Sequence, residues 1–203
     1  MTLTSGIRSR PIYTALRPDL PGRFHLLAGQ GSGGEALLRL LRLLPTLSEA
    51  AEIRVIYARE SVSGRDFSEL LRSHCGTNLS VVSTQAEAVA VLDRALSGCV
   101  MGTRLYVAGS ESFIGSIAKV ASAFNMNADE VQYEHCGSRA RRVYCVHCKM
   151  SNENVTTNIV KCADCGRHLL VRDHYSRRLG AFMGVMADAE TPGALPPIVE
   201  VFK

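Results

Sequence analysis

Arg23-Phe-His-Leu-Leu-Ala-Gly-Gln-Gly-Ser-Gly-Gly-Glu35 decides the fold. A short apolar run, Arg23 to Ala28, ends at glycines and reads as a buried strand. Leucines crowd the next segment, Glu35 to Leu44, which reads as a well-buried helix ended by Pro45. Strand, tight turn and helix in that order make the first half of a βαβ unit, and the pattern recurs. Strands are predicted over Ile53–Ala58, Leu79–Ser83, Arg104–Ala108 and Asp129–His135. Helices are predicted over Asp66–His74, Ala86–Leu96 and Ser112–Phe124, the last with Phe113, Ile114, Ile117, Val120 and Ala121 at helical spacing. This alternation predicts an α/β fold, a parallel sheet with helices on both faces, over residues 23–135. Residues 1–22, polar and Pro-containing, read as an extended arm.

After Ser138 the pattern changes. Cys145-Val-His-Cys148 and Cys162-Ala-Asp-Cys165 are two C-x2-C pairs with thirteen residues between them. Each pair sits on a tight turn that aims both sulfurs at one point, and two such turns supply a tetrahedral tetrathiolate. The short β-rich stretches Val155–Val160 and His168–Val171 fit a small C-terminal zinc ribbon over 136–190. Zn2+ is favoured over Fe at Cys145, Cys148, Cys162 and Cys165. A rubredoxin-type site usually has Gly after both turns, whereas Lys149 follows the first and Gly166 the second. His147 and His168 read as neighbours of the site rather than ligands. Cys75, Cys99 and Cys136 lack paired spacing and read as ordinary thiols.

The odd total of seven cysteines and the lack of a secretory pattern point to the reducing cytoplasm. No apolar run reaches the length of a membrane span. Residues 1–135 carry 13 basic and 13 acidic side chains, and residues 136–203 carry 10 and 6, so the net charge of +4 lies wholly in the cysteine-bearing part. So small an excess, without Trp, disfavours nucleic acid as a partner. The apolar segment Leu179–Met186 is expected to pack on the ribbon or on a partner. The tail, 191–203, is expected to dock by strand addition.

Gly29, Gly31 and Gly34 satisfy G-x-G-x-x-G between a strand and a helix. Such a turn lets backbone approach a pyrophosphate at a helix N-terminus, and equally serves as a ligand-free tight turn. With Ala58-Arg-Glu-Ser61, Leu105–Ile114 and Asn127–His135, residues 23–135 resemble the pyridine-nucleotide domain of ferredoxin reductases. The resemblance implies NAD(P)H held by Gly29, Gly31, Gly34 and Gly109, with Arg59 and Ser61 at the adenosine ribose and its 2′-phosphate. Three departures weigh against such a site. The family's cysteine near the nicotinamide is Ala108 here, the proline that follows is Ser110, and Glu35 places a negative charge where phosphate would sit. Only about twenty residues precede the domain in this sequence, so a flavin-binding barrel is not expected on this chain.

The reductase-like half, the two cysteine pairs and His174–Gly184 (His-Tyr-Ser-Arg-Arg-Leu-Gly-Ala-Phe-Met-Gly) together resemble the small subunit of bacterial dimethylamine (secondary amine) monooxygenase. That resemblance implies a multi-subunit enzyme that uses NADPH and O2 to convert a secondary amine to a primary amine and formaldehyde. Haem, flavin and an iron–sulfur centre are then expected on partner chains: a haem-binding subunit and a flavin/iron–sulfur reductase. None of the six histidines has a haem-ligand motif, and no catalytic residue is assigned. Two other readings stand beside this one: a rubredoxin-like iron carrier, and a zinc-ribbon nucleic-acid module.

Overall fold

The computed structural model describes residues 9, 11–19, 22–44, 52–60, 64–99 and 101–202. The first half alternates β1 (Phe24–Gln30), α1 (Gly33–Leu43), β2 (Glu52–Ala58), α2 (Ser68–Cys75), β3 (Leu79–Val82), α3 (Gln85–Ser97), β4 (Thr103–Gly109), α4 (Glu111–Ala123) and β5 (Val131–His135). The five strands form a parallel sheet in the order β3-β2-β1-β4-β5. The central strands bury both faces, so they are apolar at nearly every position. Leu26, Ala28, Ile56, Leu105 and Val107 face α3 and α4. Leu27, Val55, Tyr57, Tyr106 and Ala108 face α1 and α2. Strand order reverses between β1 and β4, so the crevice of this sheet opens at their carboxyl ends.

Most element boundaries in the first half differ from the sequence expectation by one or two residues, and the stretch 155–160 divides between β7, which ends at Val155, and β8, which starts at Ile159. Two of the shifts have a visible cause. β1 runs on to Gln30, because Gly29 continues the pairing with Tyr57 and Ala108. α4 starts at Glu111, because Ser110 caps it by accepting a hydrogen bond from the Phe113 N–H. Pro45 lies outside the described residues.

The described part of the N-terminal arm is anchored along β5. Thr14 N–H donates to Tyr133 O, Leu16 N–H to Glu134 Oε2 and Arg17 N–H to Gln132 Oε1. Leu16 is buried in the α1 face of the core.

The second half is a five-stranded sheet of β6 (Arg141–Cys145), β7 (Ser151–Val155), β8 (Ile159–Lys161), β9 (His168–Ser176) and β10 (Ala181–Met186). Its order is β7-β6-β10-β9-β8. β10 runs parallel to β6 and antiparallel to β9. The apolar segment ending at Met186 is thus the central strand of this sheet. The tail returns to its own chain: Asn158 N–H donates to Val199 O, and the N–H groups of Val201 and Phe202 donate to Thr156 O. Its end is pinned by Arg141, whose guanidinium lies 3.9 Å from the Phe182 ring centre and 3.8 Å from that of Phe202. Arg141 also pairs with Asp173 at 2.7 Å.

The two halves meet along α4. Gly115 of α4 and Gly180 of the β9–β10 turn touch backbone to backbone, and Gly180 has φ +58°. Around them Ser112 Oγ donates to Glu153 Oε2 at 2.8 Å, and Arg142 Nη1 donates to Ser116 Oγ at 3.0 Å.

Candidate metal centre

The four paired cysteines come together at the end of the second sheet, where β6 and β8 each run into a turn. The two turns are built alike. In the first, Cys145 N–H donates to Met150 O and Lys149 N–H donates to Cys145 O. In the second, Cys162 N–H donates to Arg167 O and Gly166 N–H donates to Cys162 O. The residue after each pair is left-handed, Lys149 at φ 72° and Gly166 at φ 71°. Each cysteine pair is therefore held by the same backbone device.

The sulfurs of Cys145, Cys148, Cys162 and Cys165 all lie within 4.8 Å of one another. Cys145 and Cys165 are 3.8 Å apart, and Cys148 and Cys162 are 3.6 Å apart. Four thiolates at the usual Zn–S distance of about 2.3 Å, arranged tetrahedrally, would lie about 3.8 Å apart. The site thus fits a tetrahedral metal ion with four protein ligands. Cys145 and Cys162 are buried, Cys148 and Cys165 half-buried, and Val160 and Leu169 pack beside them.

Crowded sulfurs resist ionising together, and their surroundings divide them. For Cys148 the Met150 N–H favours the thiolate, but desolvation and the sulfurs of Cys145 and Cys162 push it up to about 12. Burial opposes ionisation of Cys162, yet the N–H groups of Cys165 and Asp164, the Cys148 thiol and the Asn152 amide bring it down to about 6. The Arg167 N–H lowers Cys165. A divalent cation would favour the thiolate at all four.

Asn152 had no signal in the sequence. Its buried side chain donates to Val143 O at 3.3 Å, accepts from Ala163 N–H at 2.8 Å, and lies 3.7 Å from Cys162 Sγ. It ties one cysteine turn to the other. His147 is exposed, and its Nδ1 receives a hydrogen bond from Arg167 at 3.0 Å. Cys99 donates to Ala95 O, and burial raises Cys75 and Cys136, the latter to about 11.

The glycine turn lies at the carboxyl edge of the first sheet. Gly29 is inside β1, with Leu37 packed where a Cβ would project. Gly31 has φ 49° and its N–H donates to Ala58 O. Gly34 backs onto Phe67, whose Cβ lies 2.5 Å from the position a Cβ on Gly34 would take. Gly109 ends β4 against Phe113. Arg59 is exposed after β2, its N–H bonded to Val82 O. Ser61 lies outside the described residues.

The described residues contain no helix long and apolar enough to cross a membrane.

Comparison with known proteins adds a family. Residues 5–131 match the family described as "Dimethylamine monooxygenase subunit DmmA-like, N-terminal domain", and residues 142–185 match its C-terminal domain. A curated relative, the heme-dependent oxidative N-demethylase delta subunit of Ectopseudomonas mendocina (strain ymp), is 37% identical over 102 residues. The match spans 50% of this chain and 58% of that relative. Among solved structures, an intact type IV self-sufficient cytochrome P450 monooxygenase aligns at TM-score 0.48 and 14% identity, covering 86% of this chain and 21% of that one. The ferredoxin reductase in carbazole 1,9a-dioxygenase aligns at TM-score 0.44 and 15% identity, covering 57% and 38%. Likenesses this distant have no bearing on function.

Proposed function

The chain belongs to the DmmA-like family of dimethylamine monooxygenase subunits, and from that premise we propose that it is a non-catalytic, metal-stabilised subunit of a multi-chain secondary amine monooxygenase. The proposed enzyme consumes NADPH and O2 and converts a secondary amine, dimethylamine foremost, to a primary amine and formaldehyde. Haem, flavin and an iron–sulfur centre are carried by partner chains in the cytoplasm. This subunit supplies a rigid docking unit beside them. The relative's printed name, a delta subunit of a heme-dependent N-demethylase, supports the assignment.

The observation that carries the role is the sulfur cluster. Four thiols converge at tetrahedral spacing, so protein ligands fill every position of the ion. A closed site of this kind holds structure together and leaves no position for substrate. Zn2+ held by Cys145, Cys148, Cys162 and Cys165 would cross-link the β6–β7 and β8–β9 turns. A second reading is an iron tetrathiolate that passes electrons, favoured by the partial exposure of Cys148 and Cys165.

Metal analysis of the chain, co-expressed with candidate haem and reductase subunits, separates these readings. The expected result is one zinc per chain, a colourless isolated subunit and co-purification with the haem chain. Cys162→Ser should bring the zinc content close to zero. A red chromophore that bleaches on reduction would replace zinc with iron. Failure to join any haem or flavin chain would overturn the subunit assignment.

A further inference from the structure

NAD(P)H is the cofactor that the reductase-like half implies, and the crevice at the carboxyl ends of β1 and β4 is where such a sheet would hold it. A dinucleotide needs three things there: unused N–H groups at a helix N-terminus, room above the glycines, and no fixed negative charge. The residues present meet all three needs poorly.

Most of these N–H groups have partners within the chain. In the first turn of α1, Gly34 N–H donates to Gly31 O and Glu35 N–H to Ser32 O. In α4, Glu111 N–H donates to Ser138 O, Phe113 N–H to Ser110 Oγ and Ile114 N–H to Ser110 O. In α3, a carboxylate takes the place a phosphate would want: Gln85 N–H donates to Glu60 Oε2 at 2.7 Å.

The room is filled. Phe67 covers Gly34, and Gly33 abuts the Ala108 carbonyl so closely that no Cβ could stand there. Beside them runs a chain of side-chain hydrogen bonds. Ser110 donates to Gln30 at 2.7 Å, and Gln85 donates to Ser116 at 2.9 Å. Arg142 from the second sheet donates to the same Ser116 at 3.0 Å and pairs with Glu153 at 3.0 Å. Glu153 in turn accepts from Ser112 of α4. The cysteine-bearing half thus seats its own ion pair over the first turns of α4.

The charge is wrong. Glu35, Glu60, Glu111 and Glu153 all lie around these helix starts. Glu35 pairs with Arg65 at 3.4 Å, but its side chain remains 64% exposed.

We infer that the carboxyl edge of the parallel sheet is an intramolecular joint that seats the cysteine-bearing domain, and that this chain does not hold NAD(P)H. Resting on the subunit reading above, the inference places the pyridine nucleotide on another chain of the assembly.

The test is NADPH titration of the full-length, metal-loaded chain, followed by nucleotide fluorescence and saturation-transfer NMR. No saturable binding is expected up to about 1 mM, the upper end of common substrate constants. The Arg142→Ala/Glu153→Ala double variant should show faster amide exchange in the first turn of α4 and still take up no NADPH, because Phe67 and the α1 backbone remain in place. Saturable one-to-one binding by the wild-type chain, competed by NADP+, overturns the inference. Binding by the double variant alone overturns it too, since the crevice would then be gated rather than closed. Neither result touches the subunit assignment, which stands or falls on co-purification.

Discussion

Gly115 of α4 and Gly180 of the β9–β10 turn come from different halves of the chain and meet with no side chain between them. A methyl group built on either would overlap the carbonyl oxygen of the other. This contact sets how closely the cysteine-bearing half can approach α4, and so whether Arg142 can reach Ser116. Gly115→Ala or Gly180→Ala should destabilise the chain by about 1–3 kcal/mol through overpacking. Gly180→Ala adds about 1 kcal/mol, because it forces Cβ into a left-handed backbone. In a chain of this length each kcal/mol lowers Tm by about 2–4 °C. Thermal denaturation checks the values. Gly98→Ala, whose nearest neighbour would be Ala95 O at 3.8 Å, is the control and should shift stability by less than about 1 kcal/mol.

The two cysteine turns share a left-handed residue, but only the second uses glycine. A lysine in that conformation costs about 1 kcal/mol relative to glycine. Lys149→Gly should therefore raise Tm by about 2–4 °C with the metal content unchanged. It gives up the exposed contact from Lys149 Nζ to Val146 O, at 2.6 Å, which water replaces. Gly166→Ala should lower Tm by a similar amount. Calorimetry alongside metal analysis tests both, and a Lys149→Gly protein of lower stability would show that the Lys149 contact outweighs the strain.

Arg141 is only 2% exposed, held between two phenyl rings and beside Asp173. Stacking of a desolvated guanidinium on aromatic faces contributes about 2 kcal/mol or more. Asp173 keeps contact with water, so the ion pair adds less than a fully buried pair would. Arg141→Ala should cost about 2–4 kcal/mol. It should also free the tail, seen as loss of amide protection at Val201 and Phe202. Arg141→Lys should recover little of this, because an ammonium cannot lie flat against both rings.

His25 is buried, with Nε2 3.1 Å from Gly22 O and Nδ1 3.1 Å from Tyr106 OH. A carbonyl can only accept, so Nε2 carries the proton and Nδ1 accepts from Tyr106. Burial pulls the ring below its ordinary pKa, and Arg104 adds to this, while the Gly22 carbonyl and Asp19 oppose. The unfolded chain therefore takes up a proton below about pH 6.5 that the folded chain refuses. Stability should fall as pH drops from there to the lowered folded value, and stay level in this component below it. Thermal melts from pH 7.5 to 5 should show a steeper fall for wild type than for His25→Gln. Equal slopes would remove His25 from the pH response.

The alternating apolar runs make the first sheet legible in the sequence, because strands buried on both faces have few polar positions to blur them. The cysteine turns are legible for a different reason: their geometry is local, and two residues between sulfurs fix it. The glycine turn is ambiguous in principle. A missing Cβ makes room for a phosphate or for Phe67, and nothing within the turn tells the two apart. Asn152, Arg142 and Glu153 carry no periodic signal either. Each finds its partner in a distant segment, as Arg142 finds Ser116, and only the packed structure brings them together. The tail reads as a strand seeking an edge, but Thr156–Asn158 as its partner segment depends on how the sheet closes.

The position of β10 has a further consequence for how the molecule is made. It is the last of the five strands of its sheet to leave the ribosome, yet it is the seam between two hairpins finished earlier. All four sulfurs have emerged by Cys165, so an ion can staple the hairpins before anything fills the gap between them. Until Ala181–Met186 slides in, β6 and β9 each present an open, adhesive edge. A nascent chain stalled in that interval is exposed to aggregation through those edges, and early capture of an ion would shorten the search that ends it.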